Sequence, residues 1–471
     1  MAEPRPPHAV VVGGGISGLS AALALRRGGP PDLRITLVEA SPALGGKLRT
    51  SEVAGVLVDE GAEAFLARRP EATLLAGSVG LGGELVAPAT TAASIWTRGR
   101  LRPLPAGTLL GVPTNVAAVT RSGVLSRRGT ARLLLDRLLP RSPERGDVAV
   151  GRYVGGRLGR EVVDRLVDPL LGGVYAGRAD LLSLDATIPA LASVARGGGS
   201  LLRGAKGPGA STAPNAGPAF STLPGGLGRL AEAVARASGA DIRLRRTVRE
   251  LARGPTGGWL LTLGATAAPE RLPADAVILA VPAAPAARLL RQVTPAAAAE
   301  LAAIDYASVA IVTLAYAGVP AFRGSGFLVP AVDGRVTKAA TFSTAKWAHL
   351  AAAAPGLAIV RCSVGRYTDA ADLQRDDVEL VATVAAELSE AVGLVARPVE
   401  SRVTRWGGAL PQYAVGHLDR VVRIRSAVGA LPGLAVCGAA YDGVGIPACI
   451  ASAQRAAREV LPELRPPQWG P

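Results

Sequence analysis

The chain has 471 residues, 49% of them hydrophobic, with 52 Lys and Arg against 37 Asp and Glu, a formal net charge of +15. That length exceeds one ordinary core, so two or three domains are expected. Aromatic residues make up only 4%, and the arginines are scattered rather than clustered, which excludes a stacking platform or a dedicated patch for nucleic acid.

Lysine occurs only at Lys47, Lys206, Lys338 and Lys346, so the positive charge is almost all arginine. With abundant Ala, Gly and Pro this reads as GC-rich coding bias, although a polycarboxylate partner fits the same excess. Cys362, Cys437 and Cys449 show no CxxC spacing, and His8, His349 and His417 lie far apart. No disulfide framework and no metal site is expected, and a reduced, cytoplasmic setting fits. The apolar strand pattern begins at residue 8, so no leader peptide is expected. The longest apolar run, 306–322, is broken by Gly318 and Pro320 and reads as a buried strand rather than a membrane span.

In chain order, residues 8–12 form an apolar strand, 17–27 a small-residue helix and 34–38 a second strand, a βαβ unit. The turn Gly13-Gly14-Gly15-Ile16-Ser17-Gly18 fits GxGxxG. Its first glycine permits the tight turn, the second lets a pyrophosphate approach the backbone, and the third lets helix and strand pack closely. The helix N-terminus offers free N–H groups to that diphosphate. Glu39, 21 residues after Gly18, ends the second strand beside Ala40, placed to accept hydrogen bonds from ribose. Gly45-Gly46-Lys47 follows, an extension that favours FAD over a nicotinamide cofactor, with Lys47 facing the diphosphate. Small residues in Asp59-Glu60-Gly61-Ala62-Glu63-Ala64-Phe65 let the backbone reach a flavin ring. Carboxylates there could serve as general bases, but hydride removal by a flavin asks for position more than for a base.

Helical periodicity marks 129–139 and 161–171 as parts of a helical insertion. Residues 195–218, rich in Gly, Ala, Ser and Pro, read as a mobile loop. Order resumes at Phe220 with Leu223-Pro-Gly-Gly-Leu-Gly228, a helix to residue 237, and strands at 242–244, 259–263 and 275–281. Strands and helices alternate over 300–400. The end of the chain holds a strand at 434–438, the turn Cys437-Gly-Ala-Ala-Tyr-Asp-Gly-Val-Gly-Ile-Pro447 and a helix from 447 to 460. That helix's dipole would stabilise negative charge on a reduced flavin.

Together these pieces resemble the amine-oxidase-like flavoproteins, and within them the protoporphyrinogen/coproporphyrinogen oxidase family. Further segments carry the likeness: Leu166-Val-Asp-Pro-Leu-Leu-Gly-Gly-Val-Tyr-Ala-Gly177, Thr222 to Gly228, Arg405-Trp406, Leu410-Pro-Gln-Tyr413, Gly416-His417 and Gly443-Val-Gly-Ile-Pro447. The resemblance implies an α/β fold: a discontinuous Rossmann-like FAD-binding domain (1–70, 219–284, 404–471), a mixed α+β substrate domain (71–104, 181–218, 285–403) and a helical insertion (105–180) that eukaryotic members press into membrane. It implies flavin contacts at Gly13 to Gly18, Glu39, Lys47, Gly61, Ala62, Glu63, Ala64, Val248, Trp406, Val444, Gly445 and Ile446. It also implies six-electron oxidation of a porphyrinogen, with dioxygen reduced to hydrogen peroxide. The soluble bacterial branch acts on coproporphyrinogen III, with four propionates; protoporphyrinogen IX, with two, is the other substrate of the family. Eukaryotic members often place a propionate-binding arginine near Leu109, which is apolar here, so Arg68 and Arg69 stand as substitute candidates. A ferrochelatase is a candidate transient partner, and any membrane contact is peripheral, at the inner face. A flavin amine oxidase with Trp406 and Tyr441 as its aromatic cage, a carotenoid-type desaturase, and a non-catalytic flavin- or haem-binding protein remain as alternatives.

Overall fold

In the computed structural model, residues 5–204, 217–255 and 257–465 are described. A five-stranded parallel sheet is assembled from distant parts of the chain, in the order 241–243, 34–38, 8–12, 276–279, 434–436. Its strands at 8–12, 276–279 and 434–436 are nearly unbroken apolar runs because both faces are buried there. Ala9, Val11, Ile278 and Ala435 pack on helices Ile16–Gly28, Gly228–Ser238 and Ile446–Val460. Val10, Val12, Val277, Leu279 and Val436 face the opposite way. There they meet the antiparallel sheet of Val248–Arg253, Trp259–Leu263 and Glu270–Ala274 and the helix His417–Gly429.

A seven-stranded mixed sheet forms the second layer, ordered 400–411, 306–317, 357–364, 337–342, 326–328, 93–97, 100–103. One face is covered by the helix Asp377–Val392 through Leu380, Val384 and Leu388. The run at 306–322 is indeed a strand, Tyr306–Ala317, in the interior of this sheet.

A third core is helical, built on Leu133, Val150, Val154, Leu158, Val163, Leu166 and Leu171. It extends past the boundary expected at residue 180. Ile188, Leu191, Ala192, Ala195, Leu201 and Leu202 belong to it, on the helices Leu184–Thr187, Pro189–Gly197 and Leu201–Gly204. Residues 181–204 are therefore helical-core residues rather than part of the substrate sheet. The expected loop is corrected over 195–204: the two leucines supply the apolar area that the surrounding glycines and serines lack. The rest of that expectation, 205–216, lies outside the described residues.

Candidate active site

The glycine turn shows three different reasons for three glycines. At Gly13, φ is +110° and a Cβ would stand 2.5 Å from the Ala280 carbonyl oxygen; at Gly18 it would stand 1.8 Å from the Gly13 oxygen. Both positions are closed by the protein itself. At Gly15 a Cβ would meet nothing within 4 Å. That glycine alone faces open space, at the N-terminus of a helix that no side chain caps. An open helix N-terminus of this kind has the geometry to receive a diphosphate. Ile16 and Ser17 are buried in the first turn behind it.

Glu39 braces the turn rather than simply facing outward. Its Oε2 accepts from Gly14 N at 2.6 Å and its Oε1 from Ser41 N at 2.7 Å. Each oxygen keeps a lone pair for a ribose hydroxyl. The segment 243–248 runs along this corner: Glu39 N donates to Arg243 O, and Arg246 N to Glu39 O, both at 2.9 Å. Half-buried Val248 and exposed Ala40 therefore flank the Glu39 corner. Gly45 N donates to Gly14 O at 2.9 Å, and a Cβ on Gly46 would stand 3.2 Å from Gly15 Cα, so the second glycine pair is laid directly on the first turn. Lys47 follows, surface-accessible but closely surrounded by protein and without a carboxylate partner among the described residues; desolvation by those surroundings holds its ammonium below the usual lysine pKa.

In the segment 59–65 the residues Gly61 to Ala64 stay partly exposed, while the three carboxylates are each held by neighbours. Asp59 accepts from Thr50 Oγ1 at 2.8 Å and Leu227 N at 2.9 Å, and burial pushes it up to about 6. Glu60 pairs with Arg49 at 2.5 Å. Glu63 is clamped by Lys346 at 2.5 Å and Arg361 at 2.6 Å. Burial opposes its charge, but the two cations win and hold the carboxyl at about 2. Arg361 also donates to Gly61 O at 2.6 Å, and Ala62 N donates to Lys47 O at 3.2 Å. Ala64 packs beside the Trp347 cluster. Trp406 reaches in from the long strand Glu400–Pro411, its Nε1 donating to Glu60 O at 3.0 Å, with Cζ2 3.3 Å from where a Cβ on Gly61 would be. Glu60 and Glu63 are thus held as ion-paired carboxylates, whereas Asp59 has hydrogen bonds to its Oδ1 alone and pairs with no cation among the described residues.

This clamp predicts an acid sensitivity. Glu63 is depressed from its ordinary 4.5 to about 2, so its ion pairs stabilise the fold fully above pH 4.5 and are lost as pH falls toward 2. Asp59, raised from 3.8 to about 6, acts with the opposite sign: its burial destabilises above pH 6 and is relieved as pH falls toward 3.8. Between pH 4.5 and 3, Glu63→Gln should flatten the loss of thermal midpoint relative to the wild-type protein. An identical slope would show that Glu63 is not the titrating group.

The C-terminal helix Ile446–Val460 begins at Gly445 with Pro447 in its first turn and no side-chain cap. Val444 packs toward the helical core, and Ile446 toward the glycine-turn core. Lys47, Arg69 and Ser17 all lie near Cys449, so this helix start converges with the glycine turn and with Lys47. The preceding turn is held by Tyr413 Oη, which donates to Ala439 O at 2.5 Å, and by His417 stacked 4.0 Å from Tyr413. Tyr441 is completely buried in the core behind the sheet. Trp406 and Tyr441 therefore do not form an aromatic cage. Arg68 and Arg69 are exposed, and Arg69 is engaged by Glu71 at 2.5 Å.

Arg361 and Lys346, the clamp on Glu63, were not singled out from the sequence. A signal existed: with four lysines among 52 basic residues, a lysine's position carries information. Lys47 and Lys346 both stand at this site.

The flavin containing amine oxidoreductase family model matches residues 16–461. The chain belongs to that family. Within it, the chain is 39% identical to coproporphyrinogen III oxidase of Mycobacterium tuberculosis (strain ATCC 25618 / H37Rv), over 98% of each chain. It is 33% identical to that of Bacillus subtilis (strain 168), over 96% of this chain and 98% of the relative. A crystal structure from Exiguobacterium sp. 255-15, provisionally described as a protoporphyrinogen oxidase, superposes with a TM-score of 0.86 at 32% identity, covering 97% and 99% of the two chains. This flavoprotein is a porphyrinogen oxidase by family, and its cofactor is FAD. The open cradle at Gly15, the unpaired Lys47 and the uncapped helix at Gly445 fit that group.

Proposed function

We infer that this flavoprotein oxidises coproporphyrinogen III to coproporphyrin III. Three hydrides and three protons leave the macrocycle, and three dioxygen molecules are reduced to three hydrogen peroxides. The reading is carried by similarity over nearly the whole chain to relatives that bear that activity in their names. The site supports it. FAD, when bound, supplies the hydride acceptor; the protein's part is to hold Gly61 to Ala64 and Trp406 in place. Ion-paired carboxylates beside the cofactor suit a reaction driven by macrocycle conjugation, which asks for no strong base.

The test is aerobic: purified holoprotein is given coproporphyrinogen III and protoporphyrinogen IX separately, with porphyrin fluorescence and peroxide recorded. Faster coproporphyrin formation with matching peroxide is expected. Preference for protoporphyrinogen IX would change the substrate, and oxidation of neither would remove the reading. Amine turnover is not expected, because Tyr441 is buried away from Trp406.

Arg68 and Arg69 remain proposed carboxylate contacts at the rim of the cleft. A ferrochelatase, which would insert metal into the product, is the proposed transient partner. No helix among the described residues is long and apolar enough to cross a membrane. Peripheral contact with the inner face of the membrane is proposed through exposed Leu134, Leu135 and Leu138, flanked by exposed Arg127, Arg137 and Arg141. Failure to co-sediment with anionic vesicles would remove that contact.

A further inference from the structure

One row of paired residues crosses the seven-stranded sheet: Leu328, Ala339, Ser363, Ile311. It shares a face with Arg361, the residue bonded to Gly61 O and Glu63, so this face looks toward the flavin segment. The helix Asp168–Tyr175 lies over the same face, since a Cβ on Gly173 would touch Leu328 Cδ2 at 3.6 Å. Between the pairs Ala339↔Ser363 and Thr337↔Val364 the register slips, and Lys338 is the extra residue. It is 5% exposed. Its ammonium has no carboxylate and no hydrogen-bond partner among the described residues.

The surroundings of Lys338 do not neutralise it. The charged group it feels is a second cation, Arg366. Arg366 is itself desolvated and donates only to backbone, to Arg335 O and Val329 O, both at 3.2 Å. The acidic groups around Arg366 stand apart or are engaged. Asp168 accepts from Ala179 N at 2.8 Å, Glu387 accepts from Val336 N and Thr337 N, and Asp372 pairs with Arg375. Asp369 exerts the largest of the attractions on Arg366, which are together outweighed by its desolvation. Burial next to a like charge brings the lysine down to about 7. An unpaired ammonium so placed is costly to a fold, and it is sustained where a ligand brings the missing anion.

We propose that Lys338, backed by Arg366, turns its ammonium toward the flavin face and anchors one propionate carboxylate of the porphyrinogen. The assignment rests on the porphyrinogen reading above. Lys338 sits three strands across the sheet from Trp406, about 14 Å at about 4.8 Å per strand, a span that a macrocycle and its side chains bridge. The site favours a carboxylate over an ester, because only the carboxylate brings a negative charge and a charge-assisted hydrogen bond to the desolvated cation.

The test is Lys338→Met, which keeps the length and apolar stem and removes the charge. KM for coproporphyrinogen III is expected to rise about ten- to a hundredfold, with kcat nearly unchanged and FAD content equal to wild type. Fluorescence titration with coproporphyrin III should weaken by the same factor, while coproporphyrin tetramethyl ester binds variant and wild type alike. The thermal midpoint should hold or rise, since an unpaired buried charge is removed; Lys338→Gln is the second variant should the methionine not fold. Unchanged KM and unchanged coproporphyrin affinity in an active, flavin-loaded variant would overturn the anchor and leave the substrate reading standing. Failure of the wild-type protein to oxidise or bind any porphyrinogen would overturn both.

Discussion

Gly15→Asp is expected to yield a folded protein that purifies colourless. The side chain enters open space, with no protein atom within 4 Å of its Cβ, so the fold has nothing to displace. The same space is where a diphosphate must approach the helix N-terminus. A carboxylate about 4 Å from one phosphate charge costs about 4 kcal/mol at the effective dielectric of a protein surface. That is roughly a thousandfold in affinity, before the lost backbone contacts are added. Gly15→Ala is the informative control: neutral but bulkier, it should lose less flavin. Gly18→Ala should fail differently, by misfolding, because its Cβ would overlap the Gly13 carbonyl oxygen. The flavin absorbance ratio of purified protein, read beside the thermal midpoint, separates the cases. A stoichiometrically yellow Gly15→Asp protein would refute the placement of the diphosphate.

The second large effect is expected far from the flavin. Asp136 is completely buried in the helical core and accepts from Arg157 Nε at 2.8 Å, Ser200 Oγ at 2.6 Å and Leu202 N at 3.0 Å. Asp136→Ala removes the acceptor of all three bonds and leaves the buried guanidinium of Arg157 with only the backbone carbonyls of residues 140 and 136. Breaking a buried ion pair from one side costs about 3–5 kcal/mol. A matching fall in unfolding free energy by urea titration is expected, with flavin still bound at low denaturant. The double variant Asp136→Ala, Arg157→Met should recover part of the loss, since the stranded charge is gone. A single variant within 1 kcal/mol of wild type, on the order of an exposed pair's worth, would mean that Arg157 finds another acceptor.

The parts of the fold legible in the sequence are those where one local pattern meets one local cause. The strand at 8–12 and its neighbour at 34–38 were readable because burial on both faces demands unbroken apolar runs. The glycine turn and Glu39 were readable because their spacing is a backbone requirement, although the carboxylate's brace to Gly14 N is visible only in three dimensions. Two kinds of information were hidden. Ion-pair partners such as Glu63 and Arg361, 298 residues apart, leave no mark on either segment alone. The helices at 184–204 were masked by the glycines and serine of 197–200 and by Pro189, whose weak helix propensity is offset by the packing of Leu191, Leu201 and Leu202. Trp406 could be placed beside the flavin segment only through family likeness, since strand patterning says nothing of which sheet edge meets which loop.

The order of strands in the parallel sheet bears on how the protein is made. Its edge strand Leu434–Val436 and the helix Ile446–Val460 that covers Leu19 and Leu23 come last from the ribosome. At about 5–20 residues per second, the N-terminal βαβ unit waits on the order of a minute for them. During that interval the apolar flank of the first helix has no cover from its own chain, and the flavin has no complete pocket. The nascent protein is therefore an expected client of holding chaperones, and cofactor capture is expected to be a late, post-synthetic event that closes the molecule rather than a template that starts it.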